Sequence, residues 1–343
     1  METAAKYSIV VPVYNEEESF SDLVKGLREV MDLLDGPAEV VLVDDGSRDS
    51  SYRLMLEANR EDPRFKVIQL SRNFGHQVAI TAGMDAASGE AVVVMDADLQ
   101  DPPHVILEMA ARWQEGYEVV YAVRERREGE TLFKKTTAAL FYNLLHRLAE
   151  IEQPVDVGDF RLVDRKALDA FLQMRESNRY VRGMFSWIGF RQVAVPYTRA
   201  SRHAGRSKYP LRKMLRFASD GIIGFSTAPL RLALTAGLVL AVASVAYGLV
   251  AIALKLAGLP YVPGYASLLV TITFLSGVQL IVIGMVGQYV ARIYDEARAR
   301  PLYLVRDTRG FTTGGGDNGR TTWPPPDKGK RDGGQHIPPR PAP

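Results

Sequence analysis

The sequence predicts an α/β protein with a doubly wound, mostly parallel sheet, followed by a C-terminal hairpin of two transmembrane helices. Two observations predict this. In the first half of the chain, short apolar runs typical of buried strands alternate with amphipathic helical patterns. In the second half, the stretches 232–254 and about 266–290 contain no charged residue. Each is long enough to cross a hydrocarbon core of about 30 Å as a helix.

The strands of the predicted sheet follow from apolar runs bounded by turn residues. They are 7–13, 39–43, 65–70, 91–95, 118–123 and 192–197. One intervening helix follows from an apolar stripe at helical spacing, formed by Phe20, Leu23, Leu27, Val30 and Leu34. Another is predicted from Pro103 to Glu115, with proline near its start. Strands that alternate with helices in this way favour a parallel sheet.

The two apolar stretches are expected to span a membrane rather than to form a buried helix pair, because core helices rarely stay uncharged for so long. The connector contains Pro260, Pro263 and Gly264 and no charge, which predicts a tight turn. Arginines and lysines flank the pair on its outer sides, at Arg212, Lys213, Arg216, Arg231, Arg292, Arg298 and Arg300. By the positive-inside rule, both termini are predicted to be cytoplasmic.

The predicted organisation has five parts. They are a cytoplasmic α/β domain (1–209), a juxtamembrane interfacial helix (210–227), two transmembrane helices (228–291, about 230–255 and 266–290), a cytoplasmic post-membrane segment (292–311) and a disordered tail (312–343). The interfacial helix is inferred from an apolar stripe with basic residues beside it. An ordinary packed helix is the alternative. Gly, Pro and charged residues dominate the tail.

The composition of the chain limits the classes of partner that it is expected to bind. The chain of 343 residues has no cysteine, so disulfides and thiolate metal sites are excluded. Its net charge is only +2, yet residues 177–219 contain ten Lys or Arg and no acid. Such a block predicts an anionic partner, which could be a lipid phosphate, a membrane surface or nucleic acid. Nucleic acid is disfavoured because the block adjoins a membrane span and lacks a recognised module.

Polar side chains follow four of the predicted strands, where ligands bind in an open α/β sheet. The segments are Tyr14-Asn15-Glu16, Asp44-Asp45-Gly46, Ser71-Arg72-Asn73 and Asp96-Ala97-Asp98. Several carboxylates that converge on one edge repel each other unless a cation or ligand offsets the charge. Asp96, Asp98 and Gln100 offer hard oxygen ligands suited to Mg²⁺ or Mn²⁺. A lone D-x-D pattern is a weak signal, but its place after the fourth strand strengthens it.

Residues 7 to about 300 resemble a family 2 glycosyltransferase of the polyprenyl-phosphate sugar synthase group, which includes dolichyl-phosphate mannose synthases and bacterial enzymes that glycosylate undecaprenyl phosphate. The segments that carry the resemblance are VVPVYNEEE, VDDGSRD, SRNFGHQ, MDADLQDPP, GDFRLVDR and Arg202 to Tyr209. The resemblance implies a GT-A fold for the catalytic domain, inversion at the anomeric carbon, a nucleotide-sugar donor and a polyprenyl-phosphate acceptor.

The resemblance also implies roles for single residues. Nucleotide binding falls to Pro12, Tyr14, Glu16, Asp44, Asp45 and Asp96, and the metal with the diphosphate to Asp96, Asp98 and Gln100. The expected catalytic residues are Asp98, Asp159 and Arg202. The lipid phosphate is assigned to arginine forks and their neighbours, Arg199, Arg202, Ser207 and Lys208, although a basic face drawn to anionic headgroups is the alternative. Arg124 and Lys134 are expected to clamp the diphosphate or a loop.

Asp159 is the usual base candidate under this resemblance. A lipid phosphate has a second pKa of about 6 and is already largely ionised near neutral pH. Asp159 can therefore orient the sugar or acceptor instead of removing a proton. A purely structural role, as a salt bridge to Arg161 or Arg165, is the other interpretation.

The predicted activity is transfer of a monosaccharide from a UDP- or GDP-sugar to undecaprenyl or dolichyl phosphate at the cytoplasmic face of the inner (plasma) membrane, by a multi-pass enzyme. A processive polysaccharide synthase is an alternative, but its usual Q-x-x-R-W segment and further spans are missing from the sequence. A catalytically silent scaffold that binds nucleotide or lipid is another. Glycines 277, 284 and 287 permit close helix approach and suggest a homo-oligomer. The sequence leaves the sugar open.

Overall fold

A computed structural model describes residues 5–124, 157–198, 228–257 and 264–311. Contacts along the chain divide it into two compact units. The first runs to Leu99 and includes the residues from Tyr303 onward, and the second is Gln100–Leu302.

The first unit is an α/β layer whose strands and helices alternate along the chain. Its elements are β1 Tyr7–Val13, α1 Phe20–Leu33, β2 Ala38–Asp44, α2 Ser51–Glu61, β3 Phe65–Leu70, α3 His76–Ala86, β4 Ala91–Val94 and β8 Val305–Arg309. The spatial order is β4-β1-β2-β3-β8. The first four of these strands are parallel, and β8 runs antiparallel to β3.

The central strands are buried on both faces, because helices cover the sheet. Every residue of β1 and β4 is buried, which explains their continuous apolar sequence. Helix α1 turns its predicted stripe inward, and Phe20, Leu23 and Leu27 are at most 2 % exposed. The predicted alternation of buried strand and amphipathic helix is therefore confirmed in this unit.

Strand β8 was not predicted. It lies within segment 292–311, which the sequence indicated only as a post-membrane segment, and it forms the edge of the first unit's sheet. Two tyrosine hydroxyls fasten the region to helices of the unit: Tyr52 donates to Asp307 at 3.1 Å, and Tyr303 donates to Asp85 at 2.7 Å. Tyr303 is 4 % exposed. The chain thus returns to the first unit after its long apolar helices.

The second unit combines a small mixed sheet with long helices. Its elements are α4 Val105–Gln114, β5 Val119–Arg124, β6 Val157–Asp164, α5 Arg165–Leu172, α6 Val181–Trp187, β7 Gln192–Tyr197, α7 Ala228–Leu256 and α8 Tyr265–Ala297. Strand β5 pairs antiparallel with β6 and parallel with β7. The predicted α/β class with a mostly parallel sheet is confirmed, with β6 and β8 as antiparallel additions.

The long helices modify the prediction of a transmembrane hairpin. Within α8, Val270–Ala297 is long and apolar enough to cross a membrane, and its apolar window is not buried in the protein. Within α7, the apolar helical run in the described residues is the shorter Ala233–Tyr247. One candidate span is therefore found where two were predicted. The two helices contact each other, but the connector 258–263, the predicted interfacial helix 210–227 and the tail 312–343 lie outside the described residues.

A buried charge network joins strands β1, β2 and β3 of the first unit. The carboxylate of Glu39 accepts hydrogen bonds from the Ser8 hydroxyl at 2.6 Å and from the Ser88 amide at 2.8 Å, and its other oxygen lies 2.5 Å from Lys66 Nζ. Glu39 is 4 % exposed. Burial alone would raise its pKa, but the Lys66 ammonium and the hydrogen bonds outweigh this and hold the pKa below the ordinary value.

We expect Glu39→Gln to lower the free energy of unfolding by about 1.5–3 kcal/mol at neutral pH, because charged hydrogen bonds are lost in a buried site. A lowered pKa in the folded state stabilises the protein above the unfolded pKa, and this contribution is lost as pH falls through the folded pKa. The difference between wild type and variant should therefore shrink in acid. Chemical denaturation followed by circular dichroism measures it. Glu61→Gln, at an exposed pair with Arg28, should change stability little, and an equal loss in both variants would contradict the expectation.

Candidate active site

The carboxyl ends of the parallel strands in the first unit form one edge that carries most of the predicted nucleotide-binding residues. Strand β1 lies between β2 and β4, so the strand order changes direction between β1 and β4. In open α/β sheets, ligands bind in the crevice at such a switch point. The loop that begins at Tyr14 follows β1, and the loop of Asp96 and Asp98 follows β4. These two loops therefore border the expected crevice.

The loop after β1 is fastened to the loop after β2. Asn15 donates its backbone N–H to Ser47 Oγ at 3.1 Å, and its side-chain Oδ1 accepts from the Arg48 amide at 2.8 Å. The Glu16 amide donates to Ser51 Oγ at 2.8 Å. Asn15 has φ 55°, a left-handed conformation that asparagine tolerates better than most residues. The two loops consequently form one structure.

Asp44 and Asp45 hold loops in place with their carboxylates. Asp44 accepts from the Ser47 amide at 3.0 Å and from the Gln69 side chain at 3.3 Å. Asp45 accepts from the amides of Phe74 and Gly75, at 2.7 and 3.0 Å. Both aspartates are at most 3 % exposed. Burial raises the pKa of Asp45 above its ordinary value, although the two amides oppose this.

These contacts revise the electrostatic argument made from the sequence. Backbone N–H groups face both carboxylates and offset part of their charge, although the pKa of Asp45 stays above its ordinary value. The loops are also packed too closely for a larger residue at Gly46, which has φ 72°. A Cβ there would lie 2.7 Å from the backbone of Arg72 and Asn73. The loops after β2 and β3 therefore form a rigid border for the crevice.

The other predicted nucleotide-binding residues differ in accessibility. Pro12 is buried within β1, and Glu16 is half-buried. Tyr14 is 43 % exposed, so its ring is available to a ligand. An exposed aromatic ring beside a polar loop is a suitable platform for a nucleobase. Tyr14 is thus the member of this set that most directly faces solvent.

Asp96 and Asp98 are both half-buried and follow β4 by two and four residues. Leu99 has φ 56°, an unfavourable left-handed conformation for a branched side chain, and it turns the chain directly after Asp98. Two carboxylates are the number of protein ligands that Mg²⁺ commonly uses when substrate phosphates complete its coordination. Within the described residues, no three His, Asp or Glu side chains form a metal cluster. The two carboxylates fit a cation whose coordination is completed by a bound phosphate. Gln100, which is buried, stays a predicted protein ligand of this cation.

His76 is a site residue that the sequence did not identify. Its Nε2 lies 3.3 Å from Asp96 Oδ1, so it contacts the first carboxylate of the D-x-D segment. Helix α3 begins at His76, at the same edge of the sheet as Asp96. Its position in SRNFGHQ, directly after β3, was the signal that could have found it. The contact can fix the orientation of the Asp96 carboxylate.

In the second unit, Asp159 lies on β6 and forms a two-pronged salt bridge with Arg182 of α6. Arg182 Nε and Nη2 donate to the two carboxylate oxygens at 2.9 and 3.0 Å. The sequence had suggested Arg161 or Arg165 as the structural partner. Arg161 instead donates to the main-chain oxygens of Gly158 and Asp159, at 2.8 and 3.3 Å. The carboxylate partner is thus 23 residues away along the chain.

A second buried pair lies in the same unit. The Tyr197 hydroxyl of β7 donates a short hydrogen bond to Asp101 Oδ1, and Asp101 is 1 % exposed. Asp101 follows Gln100 directly, so the pair fixes the chain after Gln100 within the second unit. Several predicted residues lie outside the described residues, namely Arg199, Arg202, Ser207, Lys208 and Lys134. Arg124 ends β5, and the structure describes only its backbone.

Comparison with known proteins adds a second line of observation. The profile of Glycosyl transferase family 2 matches residues 8–172. The chain is 52 % identical over 306 residues to an uncharacterized glycosyltransferase YkcC of Bacillus subtilis (strain 168), covering 89 % of this chain and 95 % of the relative. It is 40 % identical over 304 residues to a bactoprenol glucosyl transferase of Shigella phage SfV, covering 89 % and 99 %.

A solved structure of glucosyl-3-phosphoglycerate synthase from Mycobacterium tuberculosis aligns over 64 % of this chain and 76 % of its own, with 19 % identity and a TM-score of 0.43. This similarity is too low to assign a ligand.

Proposed function

The chain belongs to glycosyltransferase family 2, and we propose that it transfers a monosaccharide from a nucleotide-diphosphate sugar to a polyprenyl phosphate at the cytoplasmic face of the plasma membrane. Its α/β fold is of the GT-A type that the resemblance implied. The observation that carries the proposal is the switch point between β1 and β4, where Tyr14 follows one strand and Asp96 and Asp98 follow the other.

The first unit supplies the groups that a nucleotide sugar needs. The exposed Tyr14 ring is suited to a nucleobase, and Glu16 is held beside it by the Ser51 contact. Asp44 and Asp45 contribute by fixing the loops that border the crevice. A UDP- or GDP-sugar meets these requirements, and the structure does not distinguish the two bases.

A lipid-linked acceptor is supported by the relatives and by helix α8. Relatives named as bactoprenol glucosyl transferases align over nearly their whole length with this chain. Val270–Ala297 is long and apolar enough to cross a membrane. We propose that α7 adds a second span, which would make the protein multi-pass with both termini cytoplasmic. The basic residues Arg199, Arg202 and Lys208 and the hydroxyl residue Ser207, with Arg124 and Lys134, stay proposed contacts for phosphate groups.

The proposed reaction is a displacement at the anomeric carbon with inversion. An oxygen of the acceptor phosphate forms a bond to this carbon, while the bond from the carbon to the diphosphate oxygen breaks. The nucleoside diphosphate leaves with the electron pair. Because the phosphate is already largely ionised near neutral pH, no proton needs to be removed before attack.

A divalent ion, Mg²⁺ or Mn²⁺, would be held by Asp96 and Asp98 with the donor diphosphate. When bound, it would stabilise the negative charge that develops on the departing diphosphate. His76 contacts Asp96, and the Asp101–Tyr197 hydrogen bond lies in the chain after Gln100. Gln100 is proposed as a further ligand.

The function is tested with full-length protein purified in detergent. Nucleotide sugars are screened against undecaprenyl and dolichyl phosphate, with Mg²⁺ or Mn²⁺, and the lipid product is detected by mass. We expect a single sugar to be added to the lipid phosphate by at least one donor. A long polymer would indicate a processive synthase, and nucleotide binding without turnover for any donor would indicate a silent scaffold. Either outcome overturns the proposal.

A further inference from the structure

Three charged side chains meet inside the second unit, on β6 and α6. Asp159 is 4 % exposed and Arg161 is 3 % exposed. Arg182 binds the Asp159 carboxylate with two hydrogen bonds, and Asp159, Arg182 and Tyr180 all act electrostatically on Arg161. The three charged side chains therefore form one coupled group.

The surroundings of Arg161 change the pKa of its guanidinium. Burial lowers the pKa of Arg161 to about 10, with the like charge of Arg182 acting in the same direction and Asp159 opposing it. Its donors point at main-chain oxygens of Gly158 and Asp159. A fully buried arginine with this environment is unusual for a group that serves stability alone.

Packing fixes the helix that carries Arg182. The Arg161 guanidinium lies 4.7 Å from the ring centre of Phe185, which is three residues after Arg182 and therefore close to it on the helix surface. Phe185 in turn stacks on Phe171 of α5, with ring centres 4.3 Å apart. Arg161 thus binds both the backbone of Asp159 and the helix of Arg182, so it holds the two partners in register.

The exposed fractions of the two side chains show which partner is accessible to a ligand. The side chain of Asp159 is 3 % exposed, whereas that of Arg182 is 32 % exposed. The carboxylate lies behind the guanidinium and fixes the plane of its fork. A guanidinium held in one orientation is suited to bind phosphate oxygens.

The position of α6 favours a lipid phosphate over a soluble one. The loop before α6 is bound by Glu296, near the end of α8: the Ser177 amide donates to Oε1 at 2.7 Å and its hydroxyl to Oε2 at 3.4 Å. Helix α8 contains the candidate membrane span. Trp187 at the end of α6 is 68 % exposed, and tryptophan is enriched at membrane interfaces.

We propose that Arg182 binds the phosphate of the lipid acceptor, with Asp159 and Arg161 as its positioning residues. This inference rests on the proposed function for the identity of the acceptor. The donor diphosphate is the other source of the same chemistry, so the test separates the two.

The test compares Arg182→Gln and Arg182→Lys with wild type, and Arg112→Gln serves as control because Arg112 forms an exposed pair with Glu115. We expect Arg182→Gln to raise KM for the polyprenyl phosphate by about 10- to 100-fold, as loss of charged hydrogen bonds implies. The lysine variant keeps the charge without the fork and should be intermediate. The donor KM and the Kd of UDP or GDP should stay unchanged.

A binding assay makes the result independent of turnover. Farnesyl phosphate and farnesol are titrated into detergent-solubilised protein, and Arg182→Gln should weaken binding of the phosphate but not of the alcohol. An equal loss for donor and acceptor, or no loss for either, overturns the proposal. If wild type transfers no sugar, the proposed function fails, while the farnesyl phosphate titration still judges Arg182. Thermal unfolding shows whether Arg182→Gln is folded. If it is not, the acceptor KM of Arg182→Lys decides whether Arg182 binds the phosphate.

Discussion

Asp98→Asn is expected to lower kcat on the order of 10²–10³-fold, comparable to the loss of a preorganised group that stabilises transition-state charge. The amide keeps the size of the side chain and removes its negative charge. Initial rates at saturating donor and acceptor, with Mg²⁺ and with Mn²⁺, measure the effect. Asp169→Asn, at an exposed position on α5 beside Arg165, is the matched control and should retain full activity.

The reason for this size of effect is the position of Asp98. Asp98 is half-buried and lies at the switch-point edge of the sheet. The left-handed backbone of Leu99 directly after it restricts the position of the Asp98 side chain. Titration of Mn²⁺ in the presence of UDP or GDP gives a readout apart from turnover, and the variant should bind the ion more weakly. Unchanged activity together with unchanged Mn²⁺ binding would show that Asp98 holds no metal.

Asp159→Asn is expected to lower kcat/KM for the acceptor on the order of 10²-fold, because Arg182 loses the charged carboxylate that binds its fork at two points. It should also lower the free energy of unfolding by about 3–5 kcal/mol, as for the loss of one partner from a buried ion pair. Rates are therefore measured below the unfolding transition. Asp159→Glu, which keeps the charge, should restore part of both losses.

The pH dependence separates a base from a positioning group. If Asp159 orients Arg182, the rate should rise with pH near the second phosphate pKa of about 6, in wild type and in Asp159→Asn alike. The acceptor KM should also rise in the variant. If Asp159 is instead the base, the variant should lose kcat with an unchanged KM, and the shape of its pH profile should change.

The elements that the sequence predicted best are three strands of the sheet. The bounds of β1, β3 and β7 match the predicted ranges, because each strand is an apolar run enclosed by turn residues. Strand β6 was missed because it carries buried charges, Asp159 and Arg161, whose compensation depends on a distant helix. Strand β8 was missed because Val305–Arg309 is short and polar, as edge strands often are.

The sequence placed the candidate site at the ends of parallel strands but did not reveal the contacts within it. Chain order placed Tyr14, Asp44 and Asp96 after parallel strands, and the structure brings those strand ends to one edge. The sequence could not show that loop amides donate hydrogen bonds to Asp45, since these donors lie about 30 residues away along the chain. The pairing of Asp159 with Arg182 was hidden for the same reason.

The antiparallel strand at the border of the first unit affects how the protein is made. β3 ends at Leu70 and its neighbour β8 begins at Val305, so 305 − 70 − 1 = 234 residues separate them. At about 5–20 residues per second, a ribosome needs roughly 10–50 s to translate this interval. During that time the outer side of β3 has unpaired amides and carbonyls, which can template aggregation. Completion of the nascent unit must therefore wait until the long apolar helix α8 has been synthesised.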